Sequence, residues 1–169
     1  MNVFLGSYGD KGNVNMEVDY IRAYNWPLKA GNELPNPGFE DSGSLLPWEG
    51  TGKLANRLGR DNSIGLELGP GQKVEQYIYL DNDREYTLAY WLLGGKGIRV
   101  NIFNVEMVTG DLEEVLAQES SGQKEFLKKS IPFKTGKEYN ANKKTIKLVF
   151  ENTGHIPAIL DDITIEKSF

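Results

Sequence analysis

The chain contains no cysteine. That excludes a disulfide framework, a thiolate metal site and a cysteine nucleophile, though it does not identify a compartment. Histidine is almost as scarce: His155 is alone, in the turn Asn152-Thr153-Gly154-His155, and reads as a loop residue, not half of a catalytic pair. No apolar run approaches the roughly 20 residues that a membrane-spanning helix requires. An excess of basic residues is also missing. The formal net charge of −5 argues against nucleic acid, whose phosphates call for a clustered cationic surface. The opening Met1-Asn2-Val3-Phe4-Leu5-Gly6 lacks the basic start and long apolar stretch of a signal peptide, so the leader of an exported parent is expected upstream.

What the chain does have is glycine and aromatic rings, 19 glycines and 11% Phe, Trp and Tyr, the mixture expected where tight turns join half-buried strands. Its 169 residues suffice for one domain with a sizeable core, or a domain plus a fragment of another. Period-2 alternation recurs along it. Ile64, Leu66 and Leu68 share one face, as do Val74, Gln76, Ile78 and Leu80 in the next run. Tyr86, Leu88, Tyr90 and Leu92 follow, then Ile98, Val100 and Ile102, and later Ile146, Leu148 and Phe150. Phe126 to Phe133 reads as a further strand, and a last one ends at Ile165. Between 107 and 130 the signals conflict. Leu112, Val115 and Leu116 have helical spacing, but turns at Thr109-Gly110 and Ser120-Ser121-Gly122 fit a hairpin, and a seven-residue helix has little to hold it. Strands are therefore expected there too. About nine or ten short strands without a convincing helix imply an all-β sandwich with jelly-roll connections.

Two stretches carry a resemblance. Asn36-Pro37-Gly38-Phe39-Glu40 opens the main body and Asp161-Asp162-Ile163-Thr164-Ile165 closes it. Together they resemble the first and last strands of β-sandwich carbohydrate-binding modules related to families 4, 9, 16 and 22, over roughly residues 30 to 169. Upstream, Met16-Glu17-Val18-Asp19-Tyr20-Ile21-Arg22-Ala23-Tyr24 alternates as a strand and resembles the closing segment of family 16 glycoside hydrolase domains. That family's Glu-x-Asp-x-x-Glu motif is absent from the chain. The expected organisation is a remnant of such a hydrolase at 1–26, a Pro/Gly linker at 27–33 and the module at 34–169. The resemblance implies a non-catalytic module, secreted with its parent enzyme, that holds an endo-β-glucanase or laminarinase on its polysaccharide, a β-glucan above all. A ligand-free structural accessory domain and a hydrolase in its own right are the alternatives. Against the second, the neighbouring carboxylates Glu113-Glu114 and Asp161-Asp162 should point to opposite faces of their strands, where they form no acid–base pair.

The same resemblance implies a structural calcium held by Glu40 and by Asp161 or Asp162. Carboxylates are the hard oxygen ligands this ion takes, and it needs six to eight oxygens in all, some from the Arg60-Asp61-Asn62 turn. Joining Glu40 to the last strand would restrain a loop of about 120 residues, worth about 4–5 kcal/mol by loop-closure arguments. Sugar binding calls for flat rings beside amides and charges. On the faces opposite the core residues lie Tyr77 and Tyr79, then Trp91, then Arg99, Asn101 and Phe103. If their strands are neighbours, these six form one aromatic strip. Gln76, of inward parity, is a weaker candidate. Trp48 reads as a plug of the sandwich in preference to a loop platform for sugar.

Overall fold

The computed structural model describes residues 28, 30–41, 43–106, 108–138 and 142–168. The strand expected at 16–24 and the hydrolase remnant expected at 1–26 lie outside them. Among the described residues ten strands form, in chain order β1 (Glu49–Gly50), β2 (Lys53–Ala55), β3 (Gly65–Leu68), β4 (Lys73–Asp81), β5 (Glu85–Gly94), β6 (Lys96–Val105), β7 (Leu112–Ser121), β8 (Leu127–Lys134), β9 (Lys143–Asn152) and β10 (Ala158–Lys167). They pair into two five-stranded antiparallel sheets, in the orders β1-β4-β9-β6-β7 and β2-β3-β10-β5-β8. The chain crosses repeatedly between them, and the expected all-β sandwich is the fold. The conflict at 107–130 resolves as strand. β7 carries a bulge opposite Ile102–Phe103, which turns both Val115 and Leu116 against the core.

The alternation read from the sequence sets the faces. Val74, Ile78, Leu80, Ile98, Val100, Ile102, Ile146, Leu148 and Phe150 from the first sheet meet Leu66, Leu68, Tyr86, Leu88, Tyr90 and Leu92 from the second, all buried. Trp48 is 1% exposed, tilted between Phe39 and Phe150 at ring-centroid distances of 5.9 and 6.0 Å. Its indole N–H donates to the Asn36 carbonyl at 3.3 Å, so it plugs the core. Gln76 points inward, and neither atom of its buried amide has a partner among the described residues.

The opening stretch corrects one expectation. Residues 34–40 form no strand: Pro35 and Pro37 have no N–H to give a ladder, and Asn36 and Phe39 adopt φ of 46° and 60°. The segment instead lies along β10, held by Glu33 N–H to Ile165 O (2.9 Å) and Ile163 N–H to Pro37 O (2.8 Å). Asn32, in the expected linker, is already buried at 6% exposure. Its Oδ1 accepts from Leu34 N–H at 3.0 Å and Ile165 N–H at 2.9 Å, so the packed body reaches back to Asn32.

Candidate functional site

The six ring and polar candidates do not form one strip. Tyr77 and Tyr79 lie on β4 and Arg99, Asn101 and Phe103 on β6, both in the first sheet but separated by β9. Trp91 lies on β5, which pairs with β10 and β8 in the second sheet, so its ring faces out from the opposite side of the sandwich. The parity of each run was legible; the pairing order, a long-range property, was not.

On the outer face of the first sheet, registry builds a platform. Tyr77 stands opposite Lys147 of β9, and Lys147 opposite Phe103 of β6, so the three share one row across three strands. At about 4.8 Å per strand the two rings are roughly 10 Å apart, with the lysine between them. Tyr79 extends the row's edge, about 7 Å further along β4. Tyr77 and Tyr79 are 49% and 66% exposed, unusual for tyrosines in the middle of a strand. The Lys147 ammonium lies 5.3 Å from the Tyr77 ring centroid and 2.8 Å from Glu75 Oε1. The Glu75 hydrogen bond, more than any other cause, raises its pKa, so it stays charged. Asn101 Nδ2 donates to Glu114 Oε2 at 3.2 Å, which orients its amide. Beside this row a groove of about 320 Å³ runs between β4 and β7 over Val149, with Arg99, Asn101, Phe103 and Lys147 on its walls. Lys147, Glu75 and Glu151 were missed by sequence reasoning, because a charged residue in a strand reads as solvated surface. A second cleft of about 390 Å³ opens at the end of the sandwich between Gly94-Gly95, Gly122–Lys124 and Ile156, with no aromatic ring in its walls.

Trp91 has a different setting. The Arg60 guanidinium lies over its ring, 4.8 Å from the centroid, and is fixed there by Asp162 Oδ2, which accepts from Nε at 2.9 Å and Nη2 at 2.6 Å. Asp161, 1% exposed, accepts from the Arg60 backbone N–H at 2.7 Å and the Ser63 hydroxyl at 2.8 Å. Contrary to the expected alternation, both aspartates therefore face the 59–63 turn. A bulge between Asp161 and Thr164, with Asp162 at φ 45°, breaks the period. Burial, the dominant cause, pushes the Asp161 carboxyl above the usual range.

Glu40 joins this corner, its Oε1 accepting from Ile64 N–H at 2.6 Å. Among the described residues no three acidic or histidine side chains converge on one point. The two aspartate Oδ1 atoms nonetheless border the side-chain-free space at Gly38, where a Cβ would lie 3.4 Å from Asp162 Oδ1, 3.8 Å from Asp161 Oδ1 and 3.9 Å from Glu40 Cγ. The two carboxylate oxygens beside this space are the hard donors calcium takes, and one of them, Asp161 Oδ1, also accepts the Asp162 backbone N–H at 2.7 Å.

No family model matches the chain, and no curated protein is similar to it in sequence. Solved structures are similar in fold. The structure of TmCBM61 in complex with β-1,4-galactotriose has TM-score 0.52 at 19% identity, covering 81% of this chain and 99% of that one. A family 16 carbohydrate-binding module gives 0.58 at 14%, covering 79% and 99%. The tandem family 22 modules of Paenibacillus barcinonensis Xyn10C give 0.64 at 15%, covering 84% and 51%. The chain thus has the β-sandwich fold found in carbohydrate-binding modules.

Proposed function

We propose that the chain is a non-catalytic carbohydrate-binding module whose site is the outer face of the first sheet. The observation that carries this is the row Tyr77–Lys147–Phe103 along an open groove, with Tyr77 and the neighbouring Tyr79 exposed and Lys147 and Phe103 half-buried. Aromatic faces stack on the apolar faces of pyranose rings, while Asn101, Arg99 and the Lys147 ammonium supply hydrogen bonds to hydroxyls. Each stacked ring contributes about 1–2 kcal/mol from apolar burial. Millimolar binding needs about −4 kcal/mol, so two or three rings with hydrogen bonds reach it and one does not. In this reading the module keeps a secreted parent glycoside hydrolase, of the family 16 kind, close to a β-glucan and raises the local substrate concentration. Affinity electrophoresis through laminarin, xylan and β-1,4-galactan tests it. At least one polymer should retard the chain, and Tyr77→Ala with Phe103→Ala should abolish that retardation while the melt is kept. Unchanged migration in every gel would reject the reading.

We propose further that Asp161, Asp162 and Glu40 hold a structural calcium, supported by the Gly38 cradle between the two aspartates. Bound there, the ion would offset the burial of Asp161 and tie the chain's opening segment to β10. Exhaustive chelation should lower the melting temperature by several degrees, and calcium should restore it; an indifferent melt would dismiss the ion.

A further inference from the structure

The charges on the proposed face alternate. Two rows from the ring row, beyond the row of Glu75, Val149 and Asn101, Lys73, Glu151, Arg99 and Glu119 stand in register across β4, β9, β6 and β7, with signs +, −, +, −. Glu75, one step along β4, lies 2.8 Å from Lys147 and 4.0 Å from Lys73. Lys147 and Lys73 thus share Glu75, Arg99 stands in register between Glu151 and Glu119, and with Glu114 beside Asn101 the face sets four carboxylates against these three cations. Lys73, Glu75, Arg99, Lys147 and Glu151 line the groove itself, where salt screens little over distances below the Debye length of roughly 8 Å.

We propose that this lattice makes the platform selective for uncharged glycans, with Glu75 and Glu151 as the selecting residues. The inference rests on the sheet-face reading and adds the class of glycan to it. A uronate or sulfate ester entering the groove meets Glu75 and Glu151 on its walls, and its attraction to Arg99 is opposed by Glu151 and Glu119, which flank that residue in the strand register. To bind Lys147 it must displace Glu75, which gives up one ion pair for another and adds like-charge repulsion. A neutral sugar keeps the pairs intact and accepts hydrogen bonds from ammonium groups that the carboxylates already orient. Specificity here comes from repulsive elements as much as from attraction.

The lattice predicts a gain of binding, which loss of fold cannot mimic. The test is affinity electrophoresis through polygalacturonate, run beside the neutral polymers, on wild type, Glu75→Gln and the double variant Glu75→Gln/Glu151→Gln. Wild type should migrate through polygalacturonate unretarded. The double variant should bind it at least tenfold more tightly, reversibly in 0.5 M NaCl, and Glu75→Gln alone should move the same way by less. Retardation of wild type by polygalacturonate, or no gain in either variant, would overturn the proposal. Absence of wild-type retardation by every neutral polymer would instead overturn the sheet-face reading, and the two failures are read from different gels.

Discussion

Arg60 covers the Trp91 ring on the outside of the second sheet, and Asp162 fixes the guanidinium in place. A half-exposed cation–π contact contributes about 0.5–1 kcal/mol, and the partly buried indole adds apolar area. Trp91→Ala should therefore cost about 1–2 kcal/mol in denaturant unfolding, through loosening of the 59–63 turn, and should leave glycan retardation intact. The reverse result, lost retardation with an unaltered midpoint, would return Trp91 to the binding face and displace Tyr77 and Phe103. At this scale, the side of the strand on which Tyr77, Trp91 and Phe103 lie was legible, because period 2 is a local property. Which of them share a surface was not. That depends on β9 inserting between β4 and β6, a pairing across some 70 sequence positions for which no local pattern stands. Lys147 escaped notice for the same reason: only its cross-strand neighbours make it part of a site.

Among the elements, β10 organises the fold, and the irregular segment before β1 depends on it. Asn32 Oδ1 accepts two buried backbone N–H groups, one from Leu34 and one from Ile165. Asn32→Ala leaves both without a partner at a site too enclosed for easy solvation. An orphaned buried donor costs about 1–3 kcal/mol, so a loss of about 2–4 kcal/mol is expected, with faster amide exchange at Ile165 as its local signature. An exchange rate at Ile165 equal to wild type would show that the opening segment is held by its apolar contacts instead. Sequence reading placed this segment beside the last strand but gave it strand form. Two prolines and two residues in the left-handed region deny it a ladder, and a single asparagine side chain does part of the ladder's work. The bulge at Asp161–Thr164 escaped the reading too, since nothing in Asp161-Asp162-Ile163-Thr164 departs from ordinary alternation until the 59–63 turn is packed against it.

For the molecule as a whole, the two sheets must be joined at their ends as well as through the core, and Asp81 does this at one end. It closes β4 of the first sheet, and its carboxylate binds Lys167 of β10 in the second sheet at 2.8 Å and Lys143 of β9 at 3.4 Å. The Tyr86 hydroxyl accepts its backbone N–H at 2.8 Å, and the Thr135 hydroxyl donates to its carbonyl at 2.8 Å, adding β5 and the end of β8 to the same junction. The hydrogen bond from Lys167, first among the causes, holds the Asp81 carboxyl below its usual range. A depressed carboxylate stabilises the fold above its unfolded pKa of about 3.9, and that stabilisation is lost as pH falls through the lower folded value. The side chain is 38% exposed, so screening keeps the effect within the surface-pair range of about 0.5–1 kcal/mol. Asp81→Asn should therefore unfold at lower urea than wild type at pH 7. The gap should narrow in 1 M salt, begin to shrink as pH falls below about 4 and close below the depressed folded pKa, where wild type too loses the charge. A gap that persisted undiminished at pH 2.5 would mean that the junction is held by the Tyr86 and Thr135 hydrogen bonds, with the lysines as bystanders.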